Sequence, residues 1–169
     1  MKRRRSTSRR AQPRTASLPR SDALAQGPAL ADIVHLFQQG QAAVALQRCR
    51  FVVATHPRQA APVHLLGLLL YRTGDVPGAE AAFQTAVRVE PDYAAAWSDL
   101  GNVYSEQGRT ADAATAYQRA VAADPTLAVA HNNLGIIYKN EGRLDAALAA
   151  YGRAIQLRPN YVDAHFNLG

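Results

Sequence analysis

The chain has 169 residues, a formal net charge of +6 at neutral pH and 48% hydrophobic residues, which is enough apolar material for a folded core. It contains one cysteine, Cys49, so a disulfide within the chain is excluded and a reducing, cytoplasmic setting is indicated. The densest apolar run, residues 65–71, is far shorter than the roughly 20 residues of a membrane-spanning helix, so no transmembrane segment is predicted.

Residues 1–25 differ in composition from the rest of the chain. Residues 1–20 carry eight basic residues and no acidic residue, and they hold too few large apolar side chains to form a core. We therefore expect this segment to be disordered. The remaining 149 residues carry a net charge near −2, so the high isoelectric point of the chain, about 9.9, arises from the basic residues in 1–20. Two roles stay open for residues 2–20: a solvated extension, or weak contact with nucleic acid or acidic lipid.

From residue 26 onward, glycines and prolines recur every 34 residues. A fixed period of this length is typical of stacked helical hairpins. A left-handed turn at each glycine would end a first helix, and each proline would end a second helix. The glycines are Gly40, Gly74, Gly108 and Gly142, and the prolines are Pro57, Pro91, Pro125 and Pro159. The spacing predicts an all-α solenoid of helical hairpins.

Other positions recur within the same period. Residues 94–127 read Trp97-x-x-Leu100-Gly101-x-x-Tyr104, followed by Ala113, Tyr117, Ala120 and Pro125. This order resembles the tetratricopeptide pattern, and residues 60–93 and 128–161 repeat it. The resemblance implies an α-α superhelix of three complete repeats.

Packing expectations follow from the helical spacing. Trp97 and Tyr117 are predicted to be buried inside their own hairpin. Gly101 and Gly135 stand in the middle of first helices, where glycine is unfavourable, so we expect a close approach of two helices at each.

The two ends of the array are irregular. Residues 26–59 are interpreted as a degenerate capping repeat, because Ile33 stands where the family has glycine and Cys49 where it has an aromatic residue. Cys49 is expected to be a small buried hydrophobe. Residues 162–169 match the start of a further, truncated repeat, which indicates a longer array.

No catalytic site, metal site or cofactor is predicted. His131 and His165 occupy the position of Trp97 in their repeats, and equivalent positions lie a whole hairpin apart, too far to share a metal ion. The sequence has no phosphate-binding glycine loop and no nucleophile motif.

A binding surface is predicted on the first helices, on the side opposite their apolar stripe. In the tetratricopeptide fold this side faces a concave groove. An asparagine amide has both a donor and an acceptor, so it can pair with the backbone of an extended peptide whatever the peptide's sequence. The acidic residues favour a neutral or basic segment, and no basic clamp for a terminal carboxylate can be assembled. The predicted peptide-binding residues are Asp99, Asn102, Glu106, Asn132, Asn133, Asn140 and Asn167.

Residues 93–169 also resemble the repeats of O-linked N-acetylglucosamine transferases and SPINDLY-like proteins. The resemblance rests on the endings Asn133-Leu134-Gly135 and Asn167-Leu168-Gly169, and Asp99 and Leu65 interrupt the asparagine ladder of that family. Two functions therefore stay open. The chain is either an interaction scaffold for extended peptide segments, or the substrate-presenting region of a bacterial protein O-glycosyltransferase whose catalytic domain is not in this chain.

Overall fold

The computed structural model describes residues 28–169, which form nine α-helices and, within that range, no strand. This confirms the predicted all-α solenoid. The segment 1–25 and its suggested contacts with nucleic acid or lipid lie outside the described residues. The helices are α1 (Pro28–Gln38), α2 (Ala42–Thr55), α3 (Ala60–Arg72), α4 (Val76–Val89), α5 (Ala94–Glu106), α6 (Thr110–Ala123), α7 (Ala128–Asn140), α8 (Leu144–Leu157) and α9 (Val162–Leu168).

Each first helix ends where the sequence pattern predicts a glycine turn. Gly108 has φ +74°, and the equivalent glycines of the other three turns also have positive φ. The N–H of Arg109 donates to the carbonyl of Tyr104 at 2.9 Å, which satisfies one of the last carbonyls of α5. Proline then follows two residues after the second helix, as Pro125 does after α6.

Each complete hairpin is closed by a glycine packed against an aromatic ring. A Cβ atom built on Gly101 would lie only 2.6 Å from Cε1 of Tyr117. Non-bonded carbon atoms prefer about 3.5–4.0 Å, so only glycine fits this contact. The predicted close approach of two helices at Gly101 and Gly135 is confirmed. The three pairs are Gly67–Phe83, Gly101–Tyr117 and Gly135–Tyr151.

The first hairpin, α1 and α2, has the same contact with the sizes exchanged. Ile33 takes the place of the glycine and is 1% exposed, while Cys49 takes the place of the ring and is 0% exposed. Both belong to one apolar cluster, together with Leu65 and Leu69 of α3. A large residue facing a small one fills the space that glycine and an aromatic ring fill elsewhere. The first hairpin therefore departs from the repeat pattern by placing the large side chain on the first helix and the small one on the second.

Cys49 is buried, as expected for a small hydrophobe. Its thiol donates to the carbonyl of Pro62 at 3.5 Å. Burial disfavours the thiolate and raises the pKa of Cys49 to about 12. At neutral pH the thiol therefore stays protonated and unreactive.

The prediction for Tyr117 holds, and the one for Trp97 is wrong. Tyr117 is 2% exposed, whereas Trp97 is only half-buried. The indole stands in the first turn of α5, where its N–H donates to the carbonyl of Pro91 at 2.7 Å. Trp97 therefore ties the start of α5 to the preceding turn and does not fill the centre of the hairpin.

Hairpins stack so that the first helices lie beside one another. One buried cluster joins α3, α4 and α5, and a second joins α6 and α7. Helix α9 contacts both α7 and α8. This stacking brings the polar faces of α3, α5, α7 and α9 into one line.

Candidate functional site

Polar side chains on the four aligned first helices form a continuous hydrogen-bonded row. We name this set the polar row. It crosses from α3 to α9, and every boundary between neighbouring first helices is bridged by at least one side-chain hydrogen bond. Its members are His64, Asp99, Asn102, Asn133, Asn132 and Asn167.

The row begins at a buried histidine. His64 is 1% exposed, and its Nε2 lies 2.7 Å from Oδ2 of Asp99. Since the carboxylate can only accept, Nε2 carries a proton, and Nδ1 lies 3.2 Å from the Tyr93 hydroxyl. Burial, followed by the charges of Glu90 and Asp99, raises the pKa of Tyr93 to about 12. The Tyr93 phenol therefore stays protonated at neutral pH.

Asn102 is the centre of the row. Its Oδ1 accepts from the Tyr117 hydroxyl at 2.8 Å and from Nδ2 of Asn133 at 3.0 Å. Its Nδ2 donates to Oδ1 of Asp99 at 3.4 Å. The amide is therefore fixed from three sides, and it orients Asn133 on the next helix.

Asn132 has a different position from the other predicted asparagines. It is 3% exposed, so it is buried between helices and does not line an open surface. Its Oδ1 accepts from Nδ2 of Asn167 at 3.1 Å, and its Nδ2 donates to Oδ1 of Asn133 at 3.4 Å. The physical reason is its place in the repeat, because the equivalent residues His64 and Ser98 are also buried. Asn132 therefore links α7 to α9.

The remaining predicted site residues lie on the same side of the first helices. Glu106 and Asn140 are exposed near the ends of α5 and α7. Glu106 accepts a hydrogen bond from the Tyr71 hydroxyl of α3. Leu65, which precedes Asp99 by one repeat, is 0% exposed beneath α1, so the open part of the row begins at Asp99.

The half-buried asparagines keep part of their hydrogen-bonding capacity. An amide offers two N–H donors and an oxygen with two lone pairs. Asn133 uses one donor toward Asn102 and one lone pair toward Asn132, and Asn167 uses one donor toward Asn132. Each therefore retains a donor and an acceptor, on a side chain whose orientation is already set.

Two histidines noted in the sequence form hydrogen bonds with backbone carbonyls. Nε2 of His131 lies 3.0 Å from the carbonyl of Pro125, and Nε2 of His165 lies 2.8 Å from that of Pro159. A carbonyl can only accept, so Nε2 donates in both, as the indole of Trp97 does one repeat earlier. From the sequence, only a shared metal ion was excluded for these residues, and this role was missed, although tryptophan and histidine, which share this repeat position, are both ring N–H donors.

Within residues 28–169, no group of three histidine, cysteine, aspartate or glutamate residues is placed to hold a metal ion. Over the same range, none of the helices combines the length and the apolar character needed to cross a membrane.

Comparisons with known proteins identify the repeats. Family models described as tetratricopeptide repeat match residues 64–128 and 116–149, and one described as TPR repeat matches residues 137–169. No curated protein matches the chain in sequence.

Solved structures share the fold. A crystal structure of MamA is 24% identical with a TM-score of 0.71, covering 79% of this chain and 78% of MamA. MamA from Desulfovibrio magneticus RS-1, from residue 41 to its end, is 22% identical with a TM-score of 0.71 over 83% and 79% of the two chains. A chain of the APC/C hetero-tetramer Cut9–Hcn1 is 20% identical with a TM-score of 0.71, over 83% of this chain and 29% of that one. Together with the family models, these structures identify the helical hairpins within residues 64–169 as tetratricopeptide repeats.

Proposed function

We propose that the chain is an interaction scaffold that holds an extended protein segment along the polar row. The observation that carries this proposal is the burial and hydrogen bonding of Asn133 and Asn167. Each is half-buried, each is oriented by a neighbouring amide, and each retains a donor and an acceptor. Such a pair matches the C=O and N–H that an extended backbone presents. The Cut9–Hcn1 neighbour is itself a hetero-tetramer, which agrees with a scaffold role for this fold.

The charges near the row favour a neutral or basic segment. Glu106 and Asp163 are exposed on α5 and α9, and Asp99 precedes Glu106 by seven residues on α5. Two cations belong to these first helices: Lys139 of α7, whose Nζ donates to the backbone carbonyl of Asn167 at 3.4 Å, and Arg72 of α3, which occupies the repeat position of Glu106. An acidic segment would meet more negative than positive charge here.

The proposal is tested with a randomised library of short peptides. Selected peptides are compared on the parent chain, Asn133→Ala, Asn167→Ala and the double variant. Each lost backbone hydrogen bond is worth roughly 0.5–1.5 kcal/mol, so we expect each substitution to weaken binding several-fold to about tenfold, across unrelated peptide sequences. The exposed amide Gln156 of α8 supplies a matched control, and Gln156→Ala should leave binding unchanged.

Circular dichroism of each variant separates binding from stability, because Asn133 also bonds Asn102. Equal binding by the parent and all three asparagine variants, with folds intact, would contradict the proposal. Failure of the library to yield any ligand would contradict it as well.

A second candidate is the substrate-presenting region of a protein O-glycosyltransferase. It is favoured by the regular placement of Asn133 and Asn167, one repeat apart in equivalent positions. Sequencing the encoding gene past codon 169 tests it, since this candidate requires further repeats and a nucleotide-sugar-binding domain. A cytoplasmic setting stays a prediction that rests on the single cysteine.

A further inference from the structure

The last complete hairpin, α7 and α8, differs from its neighbours in one buried hydroxyl. Tyr151 is 1% exposed, and its hydroxyl is the one buried side-chain polar atom within residues 28–169 that has no hydrogen-bond partner. The equivalent ring one repeat earlier, Tyr117, donates to Asn102 at 2.8 Å. A buried polar group without a partner destabilises a fold, so its presence calls for an explanation.

The explanation lies at the position of α7 that is equivalent to Asn102 of α5. Asn102 is followed after 34 residues by Ile136, so the acceptor that Tyr117 uses is replaced by an aliphatic side chain beside Tyr151. In the hairpin of α3 and α4, the corresponding pair is Leu68 and Phe83, in which both members are apolar. The pair of Ile136 and Tyr151 is therefore the mismatched one. Local mismatches of this kind tend to occur where function constrains a residue.

Ile136 lies on the part of α7 that the proposed function uses. Val129, Asn133, Ile136 and Asn140 are spaced by four, three and four residues, which places them along one face of the helix. Val129 and Ile136 are half-buried, so apolar surface stays accessible on both sides of Asn133. A side chain that projects from a backbone held by Asn133 would meet this surface.

We infer that Ile136, with Val129, forms an apolar subsite that selects an aliphatic or aromatic side chain of the bound segment, and this inference rests on the proposed function. The occupant is an extended peptide whose backbone pairs with Asn133 and Asn167. The apolar side chain packs on Ile136, and neutral or basic residues flank it, because Glu106 and Asp163 stand on the neighbouring first helices. Ile136 is thus a specificity-determining residue, and the asparagines supply affinity that does not depend on sequence.

The substitution Ile136→Asn tests the subsite directly. It copies Asn102, so it offers the Tyr151 hydroxyl an acceptor and should not weaken the fold. The probes are the tightest peptide from the randomised library and the same peptide with its apolar residue replaced by serine. The parent chain should prefer the apolar peptide by about tenfold or more, and Ile136→Asn should remove most of that preference.

Tyr151→Phe is the matched control. It removes the unpartnered hydroxyl without changing the surface, so the peptide preference should be the same as in the parent chain. If Ile136→Asn keeps the full apolar preference while Asn133→Ala weakens both peptides, the subsite is refuted and the scaffold proposal stands. If Asn133→Ala and Asn167→Ala leave both peptides unaffected, the scaffold proposal fails and the subsite fails with it.

Discussion

Gly101→Ala adds one methyl group at the contact between α5 and α6. Helix propensity alone would stabilise α5 by about 1 kcal/mol. The added Cβ, however, would lie 2.6 Å from Cε1 and 2.7 Å from Cδ1 of Tyr117. The ring is 2% exposed and is tied to Asn102 through its hydroxyl, so it cannot withdraw freely. Overpacking of this kind costs roughly 1–3 kcal/mol, so we expect a net loss of up to about 2 kcal/mol.

Gly152→Ala provides the matched control, because it makes the same change in the middle of α8. A Cβ atom on Gly152 would meet nothing within 4 Å, so only the propensity gain of about 1 kcal/mol remains. Urea unfolding followed by circular dichroism measures both variants against the parent chain. Gly152→Ala should raise the free energy of unfolding by about 1 kcal/mol, whereas Gly101→Ala should leave it unchanged or lower it by up to about 2 kcal/mol. The two variants should therefore differ by about 1–3 kcal/mol. Equal stabilisation by both substitutions would refute the argument, since it would mean that the ring of Tyr117 leaves room for a methyl group.

Two further predictions concern buried polar groups. Tyr117→Phe should lower the free energy of unfolding by about 0.5–1.5 kcal/mol because it removes a hydrogen bond, whereas Tyr151→Phe should be neutral or stabilising; equal losses in urea unfolding would contradict this. Burial raises the pKa of Cys49 from 9.0 to about 12, so the unfolded chain releases this proton at lower pH than the folded chain. Stability contributed by the neutral thiol is complete below about pH 9 and is lost as pH rises toward 12, by about 1.4 kcal/mol per pH unit. Cys49→Ala should show a correspondingly shallower loss over this range in unfolding measured at several pH values, and identical slopes would contradict the assignment.

The period of the sequence was sufficient to predict the helices and their closest contacts. Glycine and proline act locally on the backbone, so Gly108 and Pro125 mark helix ends without reference to the rest of the fold. The contact of Gly101 with Tyr117 was also predictable, because both lie in one hairpin and helical spacing sets their faces.

The connections within the polar row were not predictable in the same way. His64 and Asp99 are 35 residues apart on different hairpins, and their contact depends on the rotation of one hairpin against the next. The same rotation buries Asn132 while it leaves Asn133 half-buried. Hydrophobic periodicity describes each helix separately and carries no information about this angle.

The exchanged pair of Ile33 and Cys49 has a consequence for how a repetitive chain assembles correctly. Similar repeats invite mispairing, in which a helix docks on the wrong partner within the chain or in another molecule. Helix α1 cannot replace α3, α5 or α7, because Ile33 would collide with an aromatic ring. In the opposite exchange, a glycine facing Cys49 would leave a void. The exchanged pair of Ile33 and Cys49 therefore favours pairing of α1 with α2 over pairing of either helix with a helix of another hairpin.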